Sequence, residues 1–283
     1  MSGMTPSPSS VAITPTGPAA TSTPGTTAAA RPGPVAAPLL PAAVGAVAAA
    51  GHQRSTAGAE ILSVKGLSAG YGPLTVLHDL DFSVRSGERV AIVGLNGHGK
   101  TTLFRAISGL TGWQRGSILL RGVEVGGTRS QGPGRHTHKI VRLGLAHMPQ
   151  GDAIFPGLTV AQHLDCGAYS PNAWKQRARR REELLAIFTP LRPLLDSPVG
   201  KLSGGERRMV SLARGLMADA VLYLVDEPSL GLAPKISRAV VEALMAIDIH
   251  GGAMVIAEQN LALLAGRCDR TMGMHAGQLK GNN

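Results

Sequence analysis

The residues with the clearest chemical signature lie between positions 94 and 101, where an apolar run enters a glycine-rich turn. Gly94 and Gly99-Lys100-Thr101 have the spacing G-x-x-x-x-G-K-[ST]. The flanking residues predict a buried strand before the turn and a helix after it, which is the context that this pattern requires. Glycine amides and the positive end of a helix dipole together bind phosphate oxygens. The pattern therefore predicts a phosphate-binding loop, in which Lys100 reaches the β- and γ-phosphates of a nucleotide and Thr101 binds Mg²⁺.

Two carboxylates follow a second apolar run. Residues 221–225 are continuously apolar and lead into Asp226 and Glu227, which is typical of a buried parallel strand that ends at the ligand-binding edge of a sheet. We expect Asp226 to bind Mg²⁺ and Glu227 to orient or deprotonate an attacking water. A further apolar run at residues 253–257 leads to Gln259, so this side chain is expected at the same edge.

A helix start provides a second candidate anion site. Ser203 and Glu206 have the spacing of a capping box, in which each side chain binds the main-chain N–H of the other residue. Gly204 and Gly205 leave bare amides at the helix N-terminus, where a phosphate can approach closely. The pattern therefore predicts anion binding by Ser203, Gly204 and Gly205.

Composition sets outer limits on the function. The chain has 283 residues, of which 43% are hydrophobic and only 3% aromatic, so it can form an aliphatic core of one or two domains. The formal net charge of +10 permits contact with nucleic acid or with an anionic membrane surface, and does not choose between them. The two cysteines, Cys166 and Cys268, lack metal-ligand spacing. No run of 18 strongly apolar residues occurs, so we do not expect this chain to span a membrane by itself.

The sequence divides into a tail and a domain. Residues 1–58 consist mainly of Ala, Pro, Thr, Ser and Gly, which predicts a disordered tail; a targeting or docking segment is the alternative. Residues 59–283 are expected to form the folded domain. Alternating runs between residues 60 and 85 predict an antiparallel sheet, and residues 126–138 predict a loop.

A helical insertion is expected between the two halves of the site, at residues 151–205. Ser170 and Pro171 are a good cap and first residue for its main helix. The basic residues at 175–181 predict a solvated helix face rather than a nucleic-acid site, because no aromatic residues interleave the charges. Tyr71 lies in a glycine-rich turn, where it either stacks on a nucleotide base or is half-buried; the residues alone do not decide.

Together these motifs resemble, in type and order, the ATP-binding subunits of ABC transporters, and the resemblance covers about residues 60–280. It implies an α/β fold with a RecA-like P-loop NTPase core, an antiparallel β-subdomain and an α-helical insertion. It also implies ATP and Mg²⁺ as cofactors, ATP hydrolysis as the activity, and two cassettes that dimerise head to tail around the nucleotide.

The resemblance implies a role for each motif residue. The nucleotide-binding residues would be Tyr71, Gly94, Asn96, Gly97, His98, Gly99, Lys100, Thr101, Thr102, Ser203, Gly204 and Gly205. The catalytic residues would be Lys100, Gln150, Glu227 and Gln259, and the Mg²⁺ ligands would be Thr101, Gln150 and Asp226. Gln259 stands where most cassettes have a histidine. Because an amide cannot carry a positive charge as an imidazole can, we expect a working but slow site.

Some segments are similar to one branch, the LivF-type cassette of branched-chain amino acid importers. These segments are residues 142–151, 154–160, 227–234 and 258–260. The similarity implies membrane permease subunits and a second ATP-binding cassette, identical or different, as partners, and indirectly a substrate-binding protein. It places the chain at the cytoplasmic face of the cell membrane as a peripheral subunit, with no nucleic-acid partner expected.

Departures from the LivF-type pattern leave the cargo open. Glu206 stands where many cassettes have Gln, and Gln150-Gly151-Asp152 stands where LivF-like chains usually have Glu-Gly-Arg. Urea, an amide or another small polar solute is therefore the alternative cargo. A soluble, non-transport ABC ATPase is a more distant alternative, because no coiled-coil arm, zinc motif or second cassette is visible. Intact Lys100, Asp226 and Glu227 argue against an inactive, regulatory cassette.

Overall fold

The computed structural model describes residues 58–127 and 137–281. The predicted tail lies outside the described residues except for Gly58, and most of the predicted loop at 126–138 lies outside them as well. The ends of that loop differ from the prediction. Gly126 belongs to a strand and His138 to a helix. Gly126 can join the sheet because its pairing with Ile118 uses main-chain atoms and needs no side chain.

The first sheet is antiparallel, as the alternating runs predict. It has four strands: β1 (Glu60–Tyr71), β2 (Leu74–Arg85), β4 (Trp113–Leu120) and β5 (Val123–Gly127). Their order across the sheet is β2-β1-β4-β5. One face of this sheet is apolar and packs on the rest of the domain.

The second sheet is mostly parallel and carries the motifs. Its six strands are β3 (Arg89–Val93), β6 (Leu145–Met148), β7 (Leu222–Asp226), β8 (Ala253–Glu258), β9 (Arg270–His275) and β10 (Gln278–Gly281). Their order is β10-β9-β3-β8-β7-β6, and only β10 pairs antiparallel to its neighbour. Every residue of β7 and β8 is buried, as expected of parallel strands with both faces covered.

Helices cover the parallel sheet. They are α1 (Lys100–Ile107), α2 (Thr137–Arg142), α3 (Val160–Asp165), α4 (Pro171–Ile187), α5 (Gly204–Leu216), α6 (Pro234–Ala246) and α7 (Leu261–Leu264), with 3₁₀ turns at Thr189–Leu194 and Val199–Lys201. Helices α3 and α4 occur where the sequence predicts a helical insertion. The predicted cap of α4 is confirmed, since Ser170 Oγ accepts the N–H of Ala173 at 3.1 Å. In the described residues, no helix combines the length and the apolar character needed to cross a membrane.

Two aliphatic cores hold the layers together. In the first, Leu103 and Phe104 of α1 pack with Leu62 of β1 and with strands of the parallel sheet. In the second, α3 to α6 pack on the opposite face of the parallel sheet. Helix α1 is therefore fixed by both sheets, and the loop that precedes it starts from a rigid position.

The strand order brings the motifs to one edge. Strand β8 lies between β3 and β7, so the chain segments that follow these three strands are neighbours at their carboxyl ends. In register, Val93 pairs with Glu258 and Asp226 with Ala257. The phosphate-binding loop and both acids therefore meet at the edge where ligands bind in α/β sheets.

Candidate functional site

The phosphate-binding loop connects β3 to α1, as the sequence predicts. Its turn depends on glycine, because Gly97 has a φ of 83° and Gly99 a φ of 106°, which other residues rarely adopt. A side chain at Gly94 would overlap the carbonyl oxygen of Met274 in β9. The loop is thus held closely against β9, and α1 begins directly after it at Lys100.

Lys100 is the buried cation of this loop, with 3% of its surface exposed. Its Nζ donates to the carbonyl oxygens of Gly94 and Leu95 at 2.7 and 3.1 Å. The same Nζ lies 3.0 Å from Oε1 of Glu227. The ammonium group is therefore folded back into its own loop and forms an ion pair with an acid that follows a different strand.

Glu227 joins the loop to Gln150. Its Oε2 accepts a hydrogen bond from Nε2 of Gln150 at 3.3 Å, while Oε1 pairs with Lys100. The structure thus brings together three of the four residues predicted to be catalytic. They line a cleft of about 260 Å³ whose other lining residues are Val76, Asn96, Gly97, Gly99, Thr101 and Thr102.

Asp226 is completely buried, and neither of its carboxylate oxygens has a hydrogen-bond partner in the described part of the chain. Burial raises the pKa of this carboxyl to about 6, because the charged form loses its hydration. The Thr101 hydroxyl opposes the shift, since it is close enough to stabilise the charged form although it does not meet full hydrogen-bond geometry. A buried carboxylate with both oxygens unused is the arrangement expected of a cation ligand.

A second cleft, of about 400 Å³, lies beside Asp226. Its lining residues are Thr101, Arg105, His147, Pro149, Gln150, Gly151, Asp152, Arg208, Asp226 and Leu230. All three predicted Mg²⁺ ligands are among them. Over the ranges 58–127 and 137–281, no group of three or more His, Cys, Asp or Glu residues could hold a metal. One carboxylate beside a hydroxyl and an amide fits Mg²⁺, which in nucleotide sites relies largely on substrate phosphates and water.

Strand β8 delivers Glu258 and Gln259 next to the loop. The N–H of Gly94 donates to the carbonyl oxygen of Glu258 at 3.2 Å, so Gln259 follows at the base of the loop. Gln259 is exposed, and its side chain lines neither cleft. The buried carboxylate of Glu258 accepts the N–H groups of Ser229 and Gln259 at 2.9 and 3.2 Å. Glu258 therefore fixes the turn after β7, a contact that the sequence did not indicate.

The side chains of Tyr71 and His98, which are predicted to contact the nucleotide, lie outside the clefts. Tyr71 is the last residue of β1, and its hydroxyl accepts a long hydrogen bond of 3.5 Å from Nη1 of Arg105. The His98 ring turns toward β9, with Nδ1 3.1 Å from the carbonyl oxygen of Met274 and the ring centroid 4.6 Å from that of His275. Base stacking by Tyr71 and nucleotide binding by His98 stay predictions.

The predicted second anion site lies at the start of α5. The capping box is confirmed, since the Ser203 N–H donates to Oε2 of Glu206 at 2.8 Å and the Glu206 N–H donates to Ser203 Oγ at 3.4 Å. Ser203 and Gly204 are exposed, and Gly205 is half-buried. All three lie outside the two clefts, so they do not complete the site within one chain.

Sequence reasoning missed Arg208, which lines the second cleft with 2% of its surface exposed. A signal was present, because Arg208 precedes Leu212 by four residues and Leu216 by eight, and therefore lies on the apolar stripe of α5. It also missed Val76 and His147, which line the first and the second cleft. Burial lowers the pKa of His147 to about 4, so its imidazole is neutral at pH 7.

The parallel sheet, the glycine-rich loop and the acids after β7 define a nucleotide-binding protein of the P-loop class. The sequence model of the ABC transporter family matches residues 77–230. The high-affinity branched-chain amino acid transport ATP-binding protein BraG of Pseudomonas aeruginosa is 32% identical over 77% of this chain and 91% of its own length. The probable branched-chain amino acid transport ATP-binding protein LivF of Archaeoglobus fulgidus is 34% identical over 69% of this chain and 80% of its own length.

A solved structure of an ATP-binding subunit of an ABC transporter is 30% identical, with a TM-score of 0.65 over 79% of this chain and 89% of that chain. This chain therefore belongs to the ABC transporter family, as one of its ATP-binding ATPase proteins. The predicted fold class and the resemblance to LivF-type cassettes are confirmed. Relatives also include a lipopolysaccharide export ATP-binding protein, so membership of the family does not by itself identify the cargo.

Proposed function

We propose that this chain hydrolyses Mg-ATP to power a membrane importer whose cargo is branched-chain amino acids. The observation that carries the ATPase part is the cluster of Lys100, Gln150 and Glu227 beside the unpartnered carboxylate of Asp226. The cargo is supported by similarity to BraG and LivF, which are named for branched-chain amino acid transport.

Lys100 binds the triphosphate. The β- and γ-phosphate oxygens replace the carbonyl oxygens of Gly94 and Leu95 around Nζ, and the ion pair with Glu227 opens. The glycine amides of the loop and the N-terminus of α1 add further donors. Asn96 and Thr102, which line the same cleft, are the remaining loop contacts.

Three residues would hold Mg²⁺: Asp226 through its free carboxylate, Thr101 through its hydroxyl and Gln150 through its amide oxygen. When bound, the ion neutralises charge on the phosphates and orients them. Thr101 and Gln150 line both clefts and therefore stand between the nucleotide and the buried acid.

Glu227 is the base for the attacking water. The water oxygen forms a bond to the γ-phosphorus, the bond from that phosphorus to the β–γ bridging oxygen breaks, and the water proton passes to the Glu227 carboxylate. Gln150 keeps this carboxylate oriented. Gln259, at the base of the loop, donates a neutral hydrogen bond to the γ-phosphate without adding charge, which makes the site slow.

The proposal extends to the partners of the chain and to its domain boundaries. Ser203, Gly204 and Gly205 would reach the γ-phosphate on a second cassette, because they lie outside the clefts of their own chain. Permease subunits would place the chain at the cytoplasmic face of the membrane, with a substrate-binding protein acting indirectly.

We assign the cassette to residues 59–283, with residues 151–205 as its helical insertion and residues 1–58 as a tail.

Uptake measurements test this proposal. A strain lacking the gene receives the wild-type chain, Lys100→Ala, or Lys139→Ala as a control for removal of an exposed lysine. We expect uptake of labelled leucine, isoleucine and valine to return with wild type and Lys139→Ala. Lys100→Ala should restore none, because no other cation of the loop reaches the β- and γ-oxygens.

Uptake of labelled urea is measured in the same strains. Restoration of urea uptake without that of leucine would replace the proposed cargo and leave the ATPase proposal intact. Full restoration of leucine uptake by Lys100→Ala would contradict the ATPase proposal itself.

A further inference from the structure

Arg208 is a buried arginine that no step of the proposed reaction uses. It lies on α5 with 2% of its surface exposed. Burial lowers the pKa of its guanidinium, whereas Asp152, Asp226, Glu258 and Glu227 oppose that shift. A cation is costly at such a position unless all of its donors are satisfied. Its contacts therefore indicate what the arginine does.

The guanidinium joins two loops through five carbonyl oxygens. From the segment that carries Gln150, it binds the oxygens of Pro149, at 3.1 Å, and Gly151. From the segment after β7, it binds those of Asp226, Glu227 and Pro228 at 2.9, 3.0 and 3.1 Å. Arginine has five N–H groups in a fixed fork, and each of its three nitrogens is used here.

The segment after β7 needs support, because Glu227 has a φ of 44°. A left-handed conformation is unfavourable for a residue with a side chain and persists only where the surroundings impose it. The Glu227 peptide is held at both ends: its N–H donates to the Ala257 carbonyl oxygen at 2.9 Å, and its carbonyl oxygen accepts from Arg208. This conformation presents the Glu227 carboxylate to Lys100 and Gln150.

We propose that Arg208 is a positioning residue for ATP hydrolysis, which holds Glu227 in its left-handed conformation and fixes the Gln150 segment against it. The proposal rests on the proposed function, since it concerns the geometry of the base. Arg208 acts through main-chain atoms, because its guanidinium donates to the carbonyl oxygens of Asp226 and Glu227. Lysine is a poor substitute, because a single ammonium nitrogen with three N–H groups cannot replace five carbonyl contacts made by three nitrogens in a fixed fork.

Arg180 provides a matched control. It is also buried, and its Nη2 donates to the carbonyl oxygens of Leu216 and Ala218 at 3.0 and 3.1 Å and lies 3.3 Å from the Tyr223 hydroxyl. None of these groups lines either cleft beside the phosphate-binding loop. Tyr223 borders a separate cavity. Loss of Arg180 therefore removes a comparable buried arginine without touching Glu227.

The test compares Arg208→Lys and Arg180→Lys in the full chain, with Mg-ATP affinity, steady-state kinetics and melting temperature measured on the same samples. We expect both variants to melt earlier. Only Arg208→Lys should lower kcat, by about tenfold or more, with KM and nucleotide affinity changed less than about threefold. An unchanged kcat in Arg208→Lys, or an equal loss in Arg180→Lys, would overturn the proposal.

Hydrogen exchange on the wild-type chain decides the question if Arg208→Lys does not fold. The Leu230 N–H donates to the Glu227 carbonyl oxygen at 3.2 Å, the same oxygen that accepts from Arg208. The Leu230 amide should be as protected as the buried amides of α5, because Arg208 ties the two segments into one cooperative unit. Rapid exchange at Leu230 with slow exchange in α5 would refute the proposal. Failure of the ATPase proposal can be distinguished by comparing the wild-type chain with Glu227→Gln. If that proposal fails, the substitution will not lower the rate of ATP turnover.

Discussion

At the scale of single residues, the charged groups around the phosphate-binding loop differ in whether they have hydrogen-bond or ionic partners. Lys100 is fully engaged by two carbonyl oxygens and by Glu227. Asp226 lies beside them with neither carboxylate oxygen partnered among the described residues. On the proposed function, nucleotide binding would exchange contacts at Lys100 and add contacts at Asp226.

A buried histidine outside the site makes the fold sensitive to acid. Nε2 of His163 accepts the Phe155 N–H at 3.0 Å, so the ring proton is on Nδ1. Burial lowers the pKa of His163 to about 4, and Arg214 adds to the effect. The unfolded chain binds this proton near pH 6.5, so the stability that the neutral ring contributes is lost as pH falls from about 6.5 toward 4, by on the order of 3 kcal/mol.

His163→Gln tests this assignment, since its amide oxygen can still accept the Phe155 N–H but does not titrate. We expect the free energy of unfolding to fall less between pH 6.5 and pH 4 in this variant than in wild type. His138→Gln, on the exposed side of α2, is the control and should follow the wild-type curve. Equal pH dependence of all three proteins would show that His163 does not take up the proton on unfolding.

At the scale of elements, substitutions at two helix caps can distinguish an effect on stability from an effect on ATP-dependent pairing. Ser203 caps α5 and Ser170 caps α4, each through a side-chain oxygen that accepts a main-chain N–H. Ser203→Ala and Ser170→Ala should each lower the free energy of unfolding by about 1 kcal/mol. Only Ser203→Ala should also weaken ATP-dependent pairing of chains, because only the α5 cap belongs to the predicted second anion site.

Urea unfolding and analytical ultracentrifugation with Mg-ATP measure the two effects. Pairing that is equally weakened by both substitutions would assign the effect to general loss of stability. Unchanged pairing in Ser203→Ala would remove Ser203 from the proposed interface.

The same elements show what could be predicted from the sequence. Both caps were predictable, because their interacting atoms are three residues apart in the chain. The acids after β7 were predictable, because a continuous apolar run is typical of a parallel strand. The contacts of Arg208 were not, since its carbonyl partners lie 18 to 59 residues away and depend on how two loops meet. The left-handed φ of Glu227 is likewise imposed by tertiary contacts, because local preference opposes it.

At the scale of the whole molecule, every residue of the proposed site lies after the first 57 residues of the chain. Residues 1–58 contain few apolar side chains larger than Ala to offset an ordering entropy of about 1–2 kcal/mol per residue. A chain that begins at Gly58 should therefore keep the melting temperature and ATPase rate of the full chain. Deletion of residues 278–283 is the control and should lower the melting temperature, because it removes β10 from its pairing with β9. A marked loss on N-terminal truncation would show that the tail contributes to the domain.

We propose Glu227 as the base of a working Mg-ATP site. The most direct test is the steady-state ATPase rate of Glu227→Gln at saturating Mg-ATP, with nucleotide affinity measured on the same samples. Glutamine keeps the size of the side chain and can still contact Gln150, but it cannot take the water proton. We predict a rate at least about a hundredfold below wild type, with affinity within about threefold. A wild-type rate in Glu227→Gln would contradict the assignment of Glu227 as the base.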